Sequence, residues 1–155
     1  MNLDRRDDRL HEWMQQLPQP WPFPDVERFA AIDGRKLSTP EQWRAGNGAW
    51  GCYRSHLLIL EKCLLEGIES YVVFEDDAGF VPDFIEHLEA YVGELPEDWG
   101  LAYLGGQHLY AAKHPPKKIS DHVYRPYNVN RTHAFMVRGR TTMKALYRHL
   151  NWNDW

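Results

Sequence analysis

The sequence predicts an α/β protein in a single domain, residues 1–155, built on a doubly wound, mainly parallel sheet. Runs of β-prone apolar residues at 71–74, 101–104 and 132–137 alternate with segments whose apolar residues recur at helical spacing. A chain of 155 residues is also long enough to bury one sizeable core. Strands separated by helices favour parallel pairing, with both faces of the sheet covered.

The helices are predicted from apolar spacing and from residues that begin or end helices. The best bounded covers residues 52–66 and ends before Gly67, a natural C-terminal cap. Pro82 and Asp83 begin another, and Thr141 or Thr142 begins the last. These helices would supply the layers that cover the sheet.

Composition and charge exclude several classes of function. The net charge of −4 and the lack of a basic run argue against a nucleic-acid partner. Cys52 and Cys63 fall in one predicted helix, about 16 Å apart along its axis, and so cannot form a disulfide. Free thiols suit a reducing compartment, and no signal peptide or membrane-length apolar run is visible. We therefore expect a cytoplasmic protein without a transmembrane segment.

Three consecutive carboxylates, Glu75, Asp76 and Asp77, follow the first buried run directly. Open α/β sheets bind ligands at the carboxyl ends of their strands. If the strand continues through these residues, Glu75 and Asp77 point one way and Asp76 the other. Two carboxylates on one side form a site for a hard cation such as Mg²⁺ or Mn²⁺, whose remaining positions usually hold phosphate oxygens. The alternative is a solvated acidic turn.

A glycine-rich stretch precedes the helix predicted at 52–66. Three glycines between residues 46 and 51 indicate a flexible loop, and the first turn of the helix offers unpaired N–H groups to a phosphate or sugar oxygen. Gly51, Ser55 and His56 are the candidate binding residues. For His56 the alternative is a core histidine bonded to a neighbouring carbonyl.

Six short motifs follow one another along the chain: Asn2-Leu3-Asp4-Arg5-Arg6, Ala31-Ile32-Asp33-Gly34, Gly51-Cys52-Tyr53-Arg54-Ser55-His56, Phe74-Glu75-Asp76-Asp77-Ala78, Tyr103-Leu104-Gly105-Gly106 and Thr132-His133-Ala134-Phe135. In this order they resemble glycosyltransferase family 25, which includes lipooligosaccharide and collagen-hydroxylysine galactosyltransferases. The resemblance covers nearly the whole chain. It implies a GT-A-like fold, a UDP-sugar donor, Mn²⁺ or Mg²⁺, and inversion at the sugar carbon.

The resemblance also implies roles for individual residues. The acidic run matches the metal motif of the family, with Asp77 as the direct ligand and Glu75 beside it. Asp33 falls where such folds hold the uridine. Asn2, Asp4 and Arg5 would lie beside the base and the diphosphate.

Inverting transfer needs a base close to the acceptor hydroxyl, on the face opposite the leaving group. The candidates are Asp154, Asp76 and His133. Compared with the family, the chain lacks most of the strand that precedes Asn2 and stops where members continue with acceptor-binding structure. It is therefore either a fragment or a minimal member, and we expect weak or absent transfer.

The function that the resemblance implies is metal-dependent, inverting transfer of a hexose from a UDP-sugar to a saccharide or other hydroxyl acceptor. Galactose is the favoured hexose, and lipopolysaccharide biosynthesis is the favoured setting. One alternative is a module that binds nucleotide sugars without transferring them. Another is a metal-dependent phosphohydrolase, but the Asp-x-Asp-x-Thr pattern of such enzymes is missing from residues 75–79.

Overall fold

A computed structural model describes residues 1–151. The helices are α1 (Asp7–Gln15), α2 (Gly46–Leu65), α3 (Phe84–Gly93) and α4 (Arg140–Leu150), with a short 3-10 helix at Gly34–Lys36. The strands are β1 (Ser70–Phe74), β2 (Leu101–Tyr103), β3 (Gln107–His108), β4 (Lys117–Lys118), β5 (Tyr124–Arg125), β6 (Val129–Asn130) and β7 (Ala134–Arg138). None of the described helices is both long and apolar enough to cross a membrane.

The main sheet has three strands in the order β1-β7-β2, and β7 runs antiparallel to both neighbours. The prediction of a mainly parallel sheet is therefore wrong for these strands, whereas the mixed α/β class is confirmed. The difference arises in residues 104–133, which form two small antiparallel pairs, β3-β6 and β4-β5, instead of a crossover helix. Without a helical crossover, the chain enters β7 at the end where it left β2, so β7 runs in the opposite direction.

The N-terminal segment lies beside β1, outside the three-stranded sheet. The Met1 ammonium donates to the Phe74 carbonyl at 2.6 Å, and the Asp76 N–H donates to the Met1 carbonyl at 3.2 Å. On its other side this segment pairs in parallel through one bridge between Asn2 and Ala30. The first residues of the chain thus lie against the carboxyl end of β1.

Side chains alternate between the two faces of the sheet along each strand, so the sheet carries one apolar cluster on each face. Val73, Phe135 and Val137 face α2 and α4, where Leu60 and Met143 are almost completely buried. Phe74 and Ala134 face the other way and pack with Trp13 of α1. Several further aromatic side chains close this second cluster: Trp21, Phe23, Phe80 and Phe84. The sheet is therefore covered on both faces, as predicted.

The prediction of a flexible loop in the glycine-rich stretch is wrong, because α2 begins at Gly46. A Cβ on Gly51 would stand 2.5 Å from both Gly34 N and Ile32 O. A Cβ on Gly34 would stand 1.7 Å from the Asn47 carbonyl oxygen. These two glycines allow α2 to pack directly on the backbone of residues 32–34, which explains them without a phosphate ligand.

Candidate functional site

The carboxylate of Glu75 lies at the end of β1 and faces α2. Its Oε1 atom accepts a hydrogen bond from Thr132 Oγ1 at 2.6 Å and lies 3.1 Å from His56 Nε2. The Cys52 thiol donates to the same oxygen at 3.5 Å. The Glu75 N–H donates to the His133 carbonyl at 2.8 Å, which fixes the backbone below the side chain.

These contacts change the acid–base properties of the cluster. Burial alone would raise the pKa of Glu75, but hydrogen bonds from His56 and Thr132 outweigh it and lower the pKa to about 2. Burial, followed by the negative charge of Glu75, raises the pKa of the Cys52 thiol to about 12. At neutral pH the cluster therefore contains a carboxylate and a protonated thiol.

Asp76 and Asp77 face a different neighbour. Arg9 Nη2 of α1 lies 3.1 Å from Asp76 Oδ1 and 3.2 Å from Asp77 Oδ2. The other Asp76 oxygen accepts from Asn2 Nδ2 at 2.8 Å. The two aspartates thus converge on one positive charge.

The expected alternation, with Glu75 and Asp77 on one side, is not seen. β1 ends at Phe74 and the following residues form a turn, so the period of two does not continue through the acidic run. Asp76 and Asp77 share Arg9, while Glu75 turns towards His56. The assignment of Asp77 and Glu75 as metal ligands stays a prediction, and the geometry groups Asp77 with Asp76.

Asn2 links several of the predicted binding residues. Only 3% of it is exposed, its amide nitrogen donates to Asp76 and to the Arg6 carbonyl, and its amide oxygen accepts from Arg28. Arg28 also donates to Asp4 Oδ1 at 2.6 Å. Asn2 therefore holds the N-terminal segment against the acidic run, and Asp4 lies at its exposed edge.

Asp33 and Arg5 meet at a cavity of about 240 Å³. Arg5 Nε donates to Asp33 Oδ2 at 3.1 Å, and Arg35 Nη2 donates to the same oxygen at 2.6 Å. Hydrogen bonds from Arg35, and then from Arg5, hold the pKa of Asp33 well below its usual range. Seven residues line the cavity: Leu3, Asp4, Arg5, Ala31, Asp33, Arg35 and Lys36. Three residues from the predicted donor site, Asp4, Arg5 and Asp33, are thus brought together.

Ser55 and His56 are both buried in α2. Ser55 is fully buried, donates to the Gly51 carbonyl at 2.7 Å and accepts from the Ile32 N–H at 2.8 Å. These bonds give Ser55 a packing role, and with Gly51 it lies against residues 32–34 rather than at an open surface. Donor contacts by Ser55 and Gly51 stay predictions without support from this geometry. His56 bonds to a carboxylate, not to the carbonyl expected of a core histidine.

The structure describes the surroundings of two of the three candidate bases. Both carboxylate oxygens of Asp76 already hold partners, Arg9 and Asn2. The His133 side chain lies beside Gly105, where a Cβ would stand 3.2 Å from His133 Nε2. Asp154 lies outside the described residues. The identity of the base stays a prediction.

Sequence reasoning missed Arg9, Thr132 and Cys52 as members of these clusters. Cys52 and His56 are four residues apart in a predicted helix, and that spacing places two metal-ligating side chains on one face. This spacing is the feature of the sequence that could have indicated a role for Cys52. Nothing in the sequence near Arg9 or Thr132 indicates its partner, because both contacts depend on how distant segments pack.

Comparison with known proteins identifies the family. The profile of Glycosyltransferase family 25 (LPS biosynthesis protein) matches residues 1–150. The chain belongs to this family, which confirms the resemblance read from the six motifs. The match favours a transferase ancestry over the phosphohydrolase alternative.

Several relatives share part of the sequence. A protein of Bos taurus named "Probable inactive glycosyltransferase 25 family member 3" is 30% identical over 126 residues, which cover 68% of this chain and 21% of the relative. The Rattus norvegicus protein of the same name is 38% identical over 126 residues, with 68% and 22% covered. "Procollagen galactosyltransferase 1" of Danio rerio is 25% identical over 139 residues, with 77% and 22% covered. The matches thus span about a fifth of the length of these relatives.

Proposed function

We propose that this chain binds a UDP-hexose together with Mn²⁺ or Mg²⁺ and transfers the hexose, with inversion, to a hydroxyl of a saccharide acceptor. The convergence of Asp76 and Asp77 on a single positive charge at the end of β1 carries the proposal. The segment that supplies this charge, α1, follows directly on the residues that line the small cavity at Asp33. Cation and nucleotide would therefore bind along one continuous stretch, residues 2–9.

The proposed nucleotide site is the cavity at Asp33. Its lining residues carry three cationic side chains, Arg5, Arg35 and Lys36, against the two carboxylates of Asp4 and Asp33. The cations suit the diphosphate. The carboxylate of Asp33 stays ionised. Both of its oxygens accept from Arg35, and Oδ2 also accepts from Arg5, so an N–H or O–H group of the nucleoside would take the place of one of these donors.

The proposed cation site fits the chemistry of Asp76 and Asp77. Their donors are oxygen atoms, which hard cations prefer. Arg9 now occupies the position between them, and 59% of the Asp77 side chain is exposed, so this residue can exchange partners. A bound cation would neutralise charge on the departing diphosphate, an effect worth several kcal/mol in such sites.

Transfer itself needs the chain to orient the acceptor and to receive a proton. The acceptor oxygen would form a bond to the anomeric carbon as the bond from that carbon to the diphosphate oxygen breaks. UDP leaves with the electron pair, and the acceptor proton passes to a base. Within the described residues we favour His133, because Asp76 is engaged on both oxygens.

A second candidate is a nucleotide-sugar-binding module without transfer. Two of the relatives described above are named as probably inactive. A domain of this kind would keep the sites at Asp33 and Asp77 and lack turnover. We expect the two functions to differ in product and not in donor affinity.

The test is calorimetric titration of the chain with UDP, with and without Mn²⁺, for the wild type and for Asp77→Asn. We expect Asp77→Asn to weaken Mn²⁺-dependent binding by about tenfold or more, because a carboxylate ligand is lost. The exposed Asp98→Asn is the matched control and should keep the wild-type affinity. Unchanged Mn²⁺-dependent affinity for UDP in Asp77→Asn would contradict the assignment of Asp77 as a metal ligand.

Product measurement separates the two candidate functions. UDP-galactose is incubated with a saccharide acceptor, and released UDP and glycosylated product are measured together. Coupled formation of both supports transfer. Donor binding with neither product supports the binding module.

A further inference from the structure

Three metal-ligating side chains meet where α2 passes the end of β1. Cys52, His56 and Glu75 each offer one ligand atom, and these atoms all lie within 4.8 Å of one another. Cys52 and His56 are four residues apart on α2 and so share one face of the helix. Glu75 is the first residue after β1, and its backbone N–H is held by the His133 carbonyl.

Two of the three separations between these atoms match those on a tetrahedral metal ion, and the third is at most 4.8 Å. Glu75 Oε1 lies 3.1 Å from His56 Nε2 and 3.5 Å from Cys52 Sγ. With bonds of about 2.0 Å from zinc to nitrogen and oxygen and about 2.3 Å to sulfur, tetrahedral geometry separates N from O by about 3.3 Å and O from S by about 3.5 Å. A small ion would therefore fit with little movement of the side chains.

We propose that Cys52, His56 and Glu75 form a binding site for a borderline-soft divalent cation, Zn²⁺ or Co²⁺. A set of one sulfur, one nitrogen and one oxygen donor selects such ions over Mg²⁺ and Mn²⁺. The site is distinct from the hard-cation site proposed at Asp76 and Asp77, where the donors are oxygen atoms alone.

His56 is buried beside Glu75 and has one ring nitrogen without a protein partner among the described residues. Its side chain is 9% exposed, and its Nδ1 atom is buried without a hydrogen-bond partner in the part of the chain described. Contacts with the protein therefore satisfy only one of the two ring nitrogens. His56 Nε2 donates to the Glu75 carboxylate, so an ion that binds Nε2 takes the place of that proton, which can move to Nδ1.

Thr132 completes the surroundings of the site. Its hydroxyl donates to Glu75 Oε1 at 2.6 Å and lies 3.8 Å from Cys52 Sγ. Such a bond orients a metal-binding carboxylate. Because Thr132 is exposed, the fourth position of a bound ion can open to solvent on this side. On binding, the Cys52 proton leaves to solvent and the thiolate sulfur donates its electron pair to the ion.

The test is titration of the whole chain with Co²⁺, followed by absorption spectroscopy. We expect tetrahedral Co²⁺ bands together with a thiolate-to-cobalt charge-transfer band in the near ultraviolet, and displacement of Co²⁺ by Zn²⁺. Cys52→Ser should abolish the charge-transfer band, and His56→Gln and Glu75→Gln should each weaken binding by about tenfold or more. A wild-type chain without the charge-transfer band would overturn the proposal.

Three controls make the outcome specific. Cys63→Ala removes the other cysteine of α2 and should keep the band, so a band that depends on Cys63 contradicts the site. Asp77→Asn should also keep it, which separates this cation from the one proposed for the donor. Cys52→Asp keeps a ligand without sulfur, so it should retain Co²⁺ binding and lack the band, even if Cys52→Ser fails to fold.

Discussion

Glu75 and Asp77 are two residues apart, but their carboxylates lie in different surroundings. The Glu75 side chain is 20% exposed, and one of its oxygens meets three protein groups. The Asp77 side chain is 59% exposed and contacts Arg9. The comparison shows that one acidic motif can supply a fixed carboxylate towards α2 and an exchangeable one towards α1.

The two sides also differ in how they are held in place. On the Glu75 side, α2 packs against residues 32–34 through the close approach of Gly51 and the buried bonds of Ser55. On the Asp77 side, the contact is a partly exposed ion pair. Exposed pairs contribute about 0–1 kcal/mol, so this side can rearrange for a ligand at small cost.

The largest effect is expected from Gly51→Ala. The added Cβ would meet backbone atoms of Ile32 and Gly34 at 2.5 Å, and backbone cannot move aside as a side-chain tip can. We expect a loss of about 3 kcal/mol or more in the free energy of unfolding, measured by urea denaturation. Such a loss would show that the packing of α2 fixes the Glu75 side.

Gly48→Ala is the matched control for this prediction. It lies in the same helix, and a Cβ there meets nothing within 4 Å. Alanine should be neutral or stabilise by up to about 1 kcal/mol, because glycine is the weaker helix former. Equal losses in the two variants would contradict the packing explanation.

Local patterns predicted the three strands of the main sheet and most helices, because β1, β2, β7, α2 and α4 each carry an apolar run or stripe. They did not predict the central, antiparallel position of β7, since pairing depends on the path of residues 104–133. The glycines at 46–51 indicated a loop from composition alone. Among them, Gly51 is constrained by its contact with residues 32–34, which lie far away in sequence.

The candidate site was also predicted only in part, because its contacts depend on tertiary packing. The acidic run was located correctly at the end of β1, and Asp33 with Arg5 was placed in one site. The partners of each carboxylate were not predictable, because the turn after Phe74 breaks the alternation and Arg9 comes from a separate helix. Which carboxylate faces which neighbour is decided by tertiary packing.

An intermediate effect is expected from Glu75→Gln on acid stability. Since the pKa of Glu75 is lowered from 4.5 to about 2, its ionised form stabilises the fold above pH 4.5, and that contribution is lost as pH falls towards 2. The contribution is on the order of 2–3 kcal/mol. The glutamine variant should lose stability at neutral pH and show a flatter profile between pH 4.5 and 2, measured by denaturation at each pH.

The exposed Glu89→Gln on α3 is the control and should keep the wild-type profile. If Glu75→Gln keeps the wild-type pH dependence, the hydrogen bonds of Glu75 do not stabilise its charged form. The contrast between the two carboxylates would then rest on exposure alone.

The smallest effect is expected from Arg9→Gln, which acts on the Asp77 side. Removing the guanidinium frees both aspartates from their shared positive charge, so a divalent cation no longer has to displace it. We expect Mn²⁺ to bind a few-fold more tightly in the presence of UDP, equivalent to about 0.5–1 kcal/mol.

Arg6→Gln is the control, because Arg6 pairs with Asp8 at 2.7 Å and contacts neither aspartate by an ion pair. Calorimetric titration of both variants decides the point. Weaker Mn²⁺ binding in Arg9→Gln would mean that Arg9 positions Asp76 and Asp77 for the cation instead of competing with it. Both sides of the acidic run would then be fixed in advance of ligand binding.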